Sequence, residues 1–261
     1  MNLHKCLATK NECYQRGVGM TPVGVMVHST GANNPWLKRY VQPNDGLLGT
    51  NNAGNHFNQY RPGGRQVCVH AFIGKLADGS IATYQTLPWA MRGWHSGVGS
   101  KGSANNMGYI GFEICEDGLT DPVYFGKVYR EAVELTAYLC KLYNLDPTED
   151  GVVICHSEGH TRGIASNHGD VMHWFPKHGK YMNTFRADVA KAMNANQNEQ
   201  KEEDDMIYYK TIKDVPDSYK PSIQKLINNG TLKGTGAGVI NVSEDFCRIV
   251  TILDRNGAFD K

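Results

Sequence analysis

Val23-Gly24-Val25-Met26-Val27-His28-Ser29-Thr30 is the stretch whose reading decides the fold. An apolar, β-branched run with little alternation reads as a strand buried on both faces, and here it ends on an imidazole. Four further runs share that character: Val67–Ile73, Ile81–Gln85, Tyr109–Cys115 and Val152–Cys155. Ala77-Asp78-Gly79-Ser80 supplies a turn that makes a hairpin of the second and third. Between the strands lie helical patterns. Pro122–Tyr143 carries Val128, Ala132, Leu135, Leu139 and Leu142 on one face, Asn52–Gln59 is a short helix, and a last one centres on Thr184–Ala192. Strands interleaved with helices predict an α/β domain with a mixed central β-sheet flanked by helices.

The rest of the chain is organised around that domain. At 261 residues there is room for one well-buried domain and an appendage. Asn194–Asp205 has no aromatic or large aliphatic side chain to offset the entropy of ordering, so it reads as a linker between residues 1–193 and 206–261. The smaller piece reads as a helix over Pro221–Asn228 ended by Asn229-Gly230, a loop over Lys233–Gly238, and a helix over Ser243–Arg255 with Ser243 as N-cap. This is a small, mainly helical C-terminal domain. A net charge of +1 gives no positive field for binding nucleic acid. Seven cysteines is an odd number, and Cys68, Cys115, Cys140 and Cys155 fall in apolar patterns, as small buried hydrophobes do in a chain made in a reducing compartment. Met1–Lys10 lacks the apolar core of a secretory signal, and no run approaches the roughly 18 apolar residues of a membrane span. The expectation is synthesis in the cytoplasm without a signal peptide, no membrane partner, and a separate release step for any action outside the cell.

His28 and His156 both directly follow apolar strands, so both imidazoles are expected at sheet edges, where α/β folds build their sites. Alone, each is an ordinary polar contact. Together with Glu113 in Tyr109-Ile110-Gly111-Phe112-Glu113-Ile114 and the carboxylates and imidazoles between His156 and Asp170, they form a candidate metal set. Two imidazoles and a carboxylate hold zinc with one position open for water, a hydrolytic centre. His-Glu-x-x-His is absent, which disfavours the commonest zinc-protease arrangement.

Residues 20–190 resemble the zinc-dependent N-acetylmuramoyl-L-alanine amidases, whose domain is shared with phage endolysins and peptidoglycan recognition proteins. Val27-His28-Ser29-Thr30-Gly31 matches the family's first ligand segment, Ile110-Gly111-Phe112-Glu113 its middle strand, and His156-Ser157-Glu158 its second ligand segment. Val69-His70-Ala71-Phe72-Ile73 with Asp78-Gly79, and Gly93-Trp94-His95-Ser96-Gly97, follow in the family's order. The resemblance implies one catalytic zinc ion on His28, His156 and Asp170. Because the interval after His156 is long, His160 or His168 remains an alternative third ligand. It further implies Glu113 as general base, His168 where the family often has an oxyanion-stabilising lysine, and peptidoglycan as substrate, cut between N-acetylmuramic acid and L-alanine. Trp94, His95 and His70 are expected along a substrate groove, whereas Trp36, Tyr84 and Trp89 read as core. His173, Lys177 and His178 read as a solvated turn.

The expected role is that of a phage or prophage endolysin. The rivals are a host autolysin and a recognition module without catalysis; the latter is disfavoured because candidates for all three ligands are present. Residues 206–261, with Lys213-Asp214-Val215-Pro216, Ile223, Leu226 and Gly230-Thr231-Leu232-Lys233-Gly234, resemble a single diverged S-layer homology repeat, which implies cell-wall binding. The alternative is a dimerisation unit and hence a homo-oligomer, since Ile223, Leu226 and Leu253 must be buried against something.

Overall fold

The structure is a computed structural model and describes residues 1–42, 46–59, 67–204 and 207–259. Along the chain run β1 (Leu3–Lys5), α1 (Glu12–Arg16), β2 (Gly24–Asn33), β3 (Ala71–Lys75), β4 (Ile81–Gln85), α2 (Ala104–Met107), β5 (Tyr109–Glu116), α3 (Pro122–Tyr143), β6 (Val153–Cys155), α4 (His156–Thr161) and α5 (Met182–Asp204). Six strands form one sheet in the order β1-β4-β3-β5-β2-β6. Only β3 and β4 pair antiparallel; the other neighbours are parallel. The expected mixed sheet with flanking helices is therefore what forms.

Alternation divides the sheet into two faces. Val25, Val27, Ala71, Ile73, Ile110, Phe112, Ile114, Val153 and Cys155 pack in one core with Val128, Ala132, Leu135 and Leu139 of α3. Asp121 caps α3 by accepting from Val123 N and Tyr124 N, Pro122 sits in the first turn, and Asn144 ends the helix in the left-handed conformation. Leu142, expected on that face, is 49 % exposed. Phe112 is fully buried at the centre of this layer. Phe112→Ala is expected to cost about 3–5 kcal/mol in denaturant unfolding, without touching the polar face.

Three local expectations are corrected. Asn52–Gln59 forms no helix: Asn51 accepts from Ala53 N and donates to Asn55, and side-chain bonds of this kind compete with helical ones. The second strand begins at Ala71, since Cys68 pairs instead with Trp94 in an isolated bridge. The last helix runs on to Asp204, through most of the expected linker, as its Ala, Gln, Glu and Lys residues extend an existing helix at little cost. Asp205, the end of that linker, lies outside the described residues.

The chain divides into two compact units, Met1–Ala195 and Asn196–Lys261. In the second, β7 (Tyr208–Thr211) and β8 (Val239–Ser243) pair antiparallel, with α6 (Lys220–Asn228) and α7 (Glu244–Arg255) beside them. Ser243 caps α7 by accepting from Phe246 N at 3.2 Å. The ribbon was not expected. It lets Val242 join Val215, Ile223, Leu226, Cys247 and Val250 in a core of the unit's own. Ile223 and Leu226 are thus buried as expected, but Leu253 is 45 % exposed. Among the described residues no helix is long and apolar enough to cross a membrane.

Candidate metal centre

The polar face of the sheet carries the site. His28 is paired in register with Glu113, and Glu113 with Phe72. Residues opposite one another in a parallel ladder point to the same side, so Phe72, Glu113 and His28 form a row. Val27 pairs with Cys155, which places His156, one residue later, next in that row. His156 opens α4, whose first turn is fixed by Glu158: its carboxylate accepts from Cys155 N at 3.2 Å and is bridged to Arg186 of α5. Glu158 is therefore a structural partner of the second histidine.

Asp170 comes from a turn anchored in the core by Val171, Trp174 and Phe175, all fully buried. His173 on the same turn bonds Glu116 at 2.8 Å, and that carboxylate also accepts from Gly31 N at 3.1 Å, tying the turn to the ends of β2 and β5. The expected solvated turn is thus corrected. His173 and Lys177 are exposed, but His173 is also paired, and His178 stacks on Phe125 with ring centroids 4.2 Å apart.

Three donor atoms converge. His28 Nδ1 lies 3.0 Å from Asp170 Oδ2 and 3.1 Å from His156 Nδ1, and His156 Nδ1 lies 3.6 Å from the same Oδ2. A tetrahedral zinc ion with bonds of 2.0–2.1 Å sets its ligands roughly 3.3 Å apart, and this triangle brackets that spacing. Both histidines are buried and the Asp170 side chain is 14 % exposed. The donor set fits zinc. Burial pushes the His28 imidazole toward its neutral, ligating form, more than Asp170 pulls it back. Burial alone would raise the Asp170 carboxyl, but the two imidazoles beside it outweigh this and hold it below the ordinary carboxylate range. His160 and His168 are outside this group of three. His160 is exposed and near the Ala165 carbonyl; His168 is exposed, with its ring 4.7 Å from that of His156.

Glu113 Oε2 is buried without a hydrogen-bond partner. Burial, then the nearby Asp170 and Glu116 carboxylates, raise its pKa well above the usual range. Such a group has a high affinity for protons, and no hydrogen bond among the described residues uses its Oε2.

Two residues expected along the groove are placed differently. His70 is fully buried: Nδ1 accepts from Gly111 N at 3.0 Å and Nε2 donates to the Met91 carbonyl at 2.8 Å, so neither nitrogen is left for substrate. Trp94 lines a separate cavity of about 110 Å³ with Glu12, Cys13, Arg16, Val18 and Arg92, which none of the three metal-set residues lines. Tyr84 and Trp89 are core, as expected. His95 is only partly exposed, with Nδ1 3.0 Å from His28 Nε2. Sequence reasoning passed over Ser166, Asn105 and Glu116; the signal available was the set of motif glycines around them, because glycine marks close approach.

One family profile, described as N-acetylmuramoyl-L-alanine amidase, matches residues 18–176, well over half of the chain and short of the second unit. No curated protein matches the sequence significantly. Among solved structures the chain is similar to the Staphylococcus aureus hydrolase AmiA in complex with its ligand, at 17 % identity and a TM-score of 0.50, covering 76 % of this chain and 84 % of that one. It is also similar to a variant of PlyL, at 19 % identity and 0.50, covering 72 % and 98 %. At such identities the likeness is one of fold.

Proposed function

The chain belongs to the N-acetylmuramoyl-L-alanine amidase family, and from that premise we propose that it uses one zinc ion on His28, His156 and Asp170 to cut the bond between N-acetylmuramic acid and L-alanine. The observation that carries this reading is the triangle of donor atoms beside a buried carboxylate without a partner. Zinc held there supplies Lewis acidity toward the amide carbonyl and acidifies water. Glu113 takes a proton at Oε2 and passes it to the leaving amine. His168, exposed beside His156, donates an N–H to the developing oxyanion. The test is the metal content of the purified protein together with the ends released from purified peptidoglycan. New amino groups on L-alanine without new reducing sugars are expected; reducing sugars, or full activity in a metal-free preparation, would sink the reading.

For its setting we favour a phage or prophage endolysin over a host autolysin. None of the seven cysteines is in a disulfide, which suits folding in a reducing compartment, whereas the substrate lies outside the membrane. A separate release step reconciles the two. Produced inside a susceptible bacterium, the protein should lyse cells only once the membrane is breached; lysis without a breach would overturn this setting.

For the second unit, self-association is favoured over the wall binding that its resemblance to an S-layer homology repeat implies. Phe246, Ile249, Ile252 and Leu253 leave α7 with an apolar face that is 36–57 % exposed. The full-length protein is expected to sediment as a dimer and Ile249→Asp as a monomer, with binding to purified walls unchanged. A monomeric parent would refute the pairing.

A further inference from the structure

Ligand histidines act only when the correct ring nitrogen carries the lone pair, and that choice is made by what the other nitrogen touches. For His28 the chain of contacts can be followed to its end. His95 Nε2 lies 3.1 Å from the Tyr109 carbonyl, which can only accept, so the His95 proton sits on Nε2 and its Nδ1 is an acceptor. His28 Nε2, 3.0 Å from that Nδ1, must therefore donate. This leaves the lone pair of His28 on Nδ1, the atom facing Asp170 and His156. The opposite tautomer of His28 would force His95 to point a lone pair at the Tyr109 carbonyl. His156 is held in the same sense: Nε2 lies 3.3 Å from Ser166 Oγ, and that hydroxyl, donating to the Ser96 carbonyl at 3.2 Å or to His168 Nδ1 at 3.1 Å, accepts from His156.

Both chains end on or beside one short segment. Gly93-Trp94-His95-Ser96-Gly97 is locked by the buried Asn105 side chain, which accepts from His95 N at 2.8 Å and Ser96 N at 3.2 Å. Two glycines make the fit. A Cβ on Gly111 would stand 2.4 Å from His95 Nδ1, and one on Gly97 would stand 2.6 Å from Ser166 Oγ. The glycine of Ile110-Gly111-Phe112-Glu113 is thus the seat of the His95 ring.

We propose that residues 93–97 are an orienting cradle, in which His95 directly and Ser96 through Ser166 fix the protons of His28 and His156 on Nε2, so that both Nδ1 atoms face the metal. His95 is accordingly a positioning residue for a ligand, and the groove-wall role expected for it gives way. The inference rests on the metal reading of His28, His156 and Asp170.

Nitrogen-15 NMR of the imidazoles in mildly alkaline solution tests it on the unaltered protein, both metal-free and zinc-loaded. The expected spectra show a proton on Nε2 of His28, His95 and His156 in both states, joined in the metal-free protein by a proton on an Nδ1 that faces Asp170 and is displaced when zinc binds. A His28 or His95 ring without a proton on Nε2 in the metal-free protein would overturn the cradle, whatever the protein binds. If the protons are placed as expected but zinc does not bind, the metal reading falls and the orientation stands. Zinc affinity by chelator competition gives the second readout. His95→Leu and Gly111→Ala are each expected to weaken binding about 10–100-fold, and His95→Gln, whose carbonyl accepts the same proton, to recover most of the loss. Parental affinity in His95→Leu, or a loss in His95→Gln as large as in His95→Leu, would overturn the orienting role.

Discussion

Asp170→Ala, His28→Ala and His156→Ala are each expected to lose the metal and bring amidase turnover to background while the domain stays folded. The separation follows from where the stability resides. The core that joins the sheet to α3 lies on the face opposite the ligand row, so removing a ligand leaves that packing intact. Asp170→Ala also deletes the only carboxylate in the group of three. Metal analysis, wall lysis and circular dichroism on the same preparations read the three quantities. Chelation of the parent should reproduce the loss, and added zinc should reverse it. Normal metal content in Asp170→Ala, with loss in His160→Ala or His168→Ala, would move the third ligand to a histidine.

The three candidate ligands were legible because each lies beside a feature that sequence displays plainly: His28 and His156 at the ends of apolar strands, Asp170 before the buried Trp174-Phe175 pair. Their supports were not. His95 reaches His28 across 67 residues of chain, and nothing in Trp94-His95-Ser96 tells which way the ring turns. Burial inverted the reading of His70, which looked like a groove residue but is consumed by backbone contacts of Gly111 and Met91. Secondary structure was legible where periodicity ran long, as in Pro122–Tyr143, whose bounds are those of α3. It failed at β1 and β8, although the equally short β4 and β6 were read from their apolar runs, and where asparagine side chains capture the backbone, as around Asn51. The helical course of the expected linker illustrates a different limit: composition reports what cannot form a core, whereas a helix already nucleated at Met182 extends at little cost through residues of good helix propensity.

Glu113→Gln should keep zinc and lose about 10²–10⁴-fold in kcat, the usual contribution of a general base. The amide has the shape of the carboxyl but cannot accept the proton, and Oε2 has no partner whose loss would spread the damage. Because Glu113 must be unprotonated to take a proton, the parent should lose activity as pH falls and Glu113 is protonated, while the residual activity of Glu113→Gln should lack that limb. Burial raises the Glu113 pKa, and this shift carries a sign for stability. In the metal-free fold Glu113 holds its proton to higher pH than in the unfolded chain, so between the ordinary value of 4.5 and the raised one the folded state binds more protons, and stability falls as pH rises. Glu113→Gln removes that loss. Metal-free Glu113→Gln should therefore unfold at higher denaturant than the metal-free parent at neutral pH, with the gap closing below the ordinary value. Equal stability across that range, or a variant that turns over normally, would show that Glu113 is an ordinary paired acid and not the base.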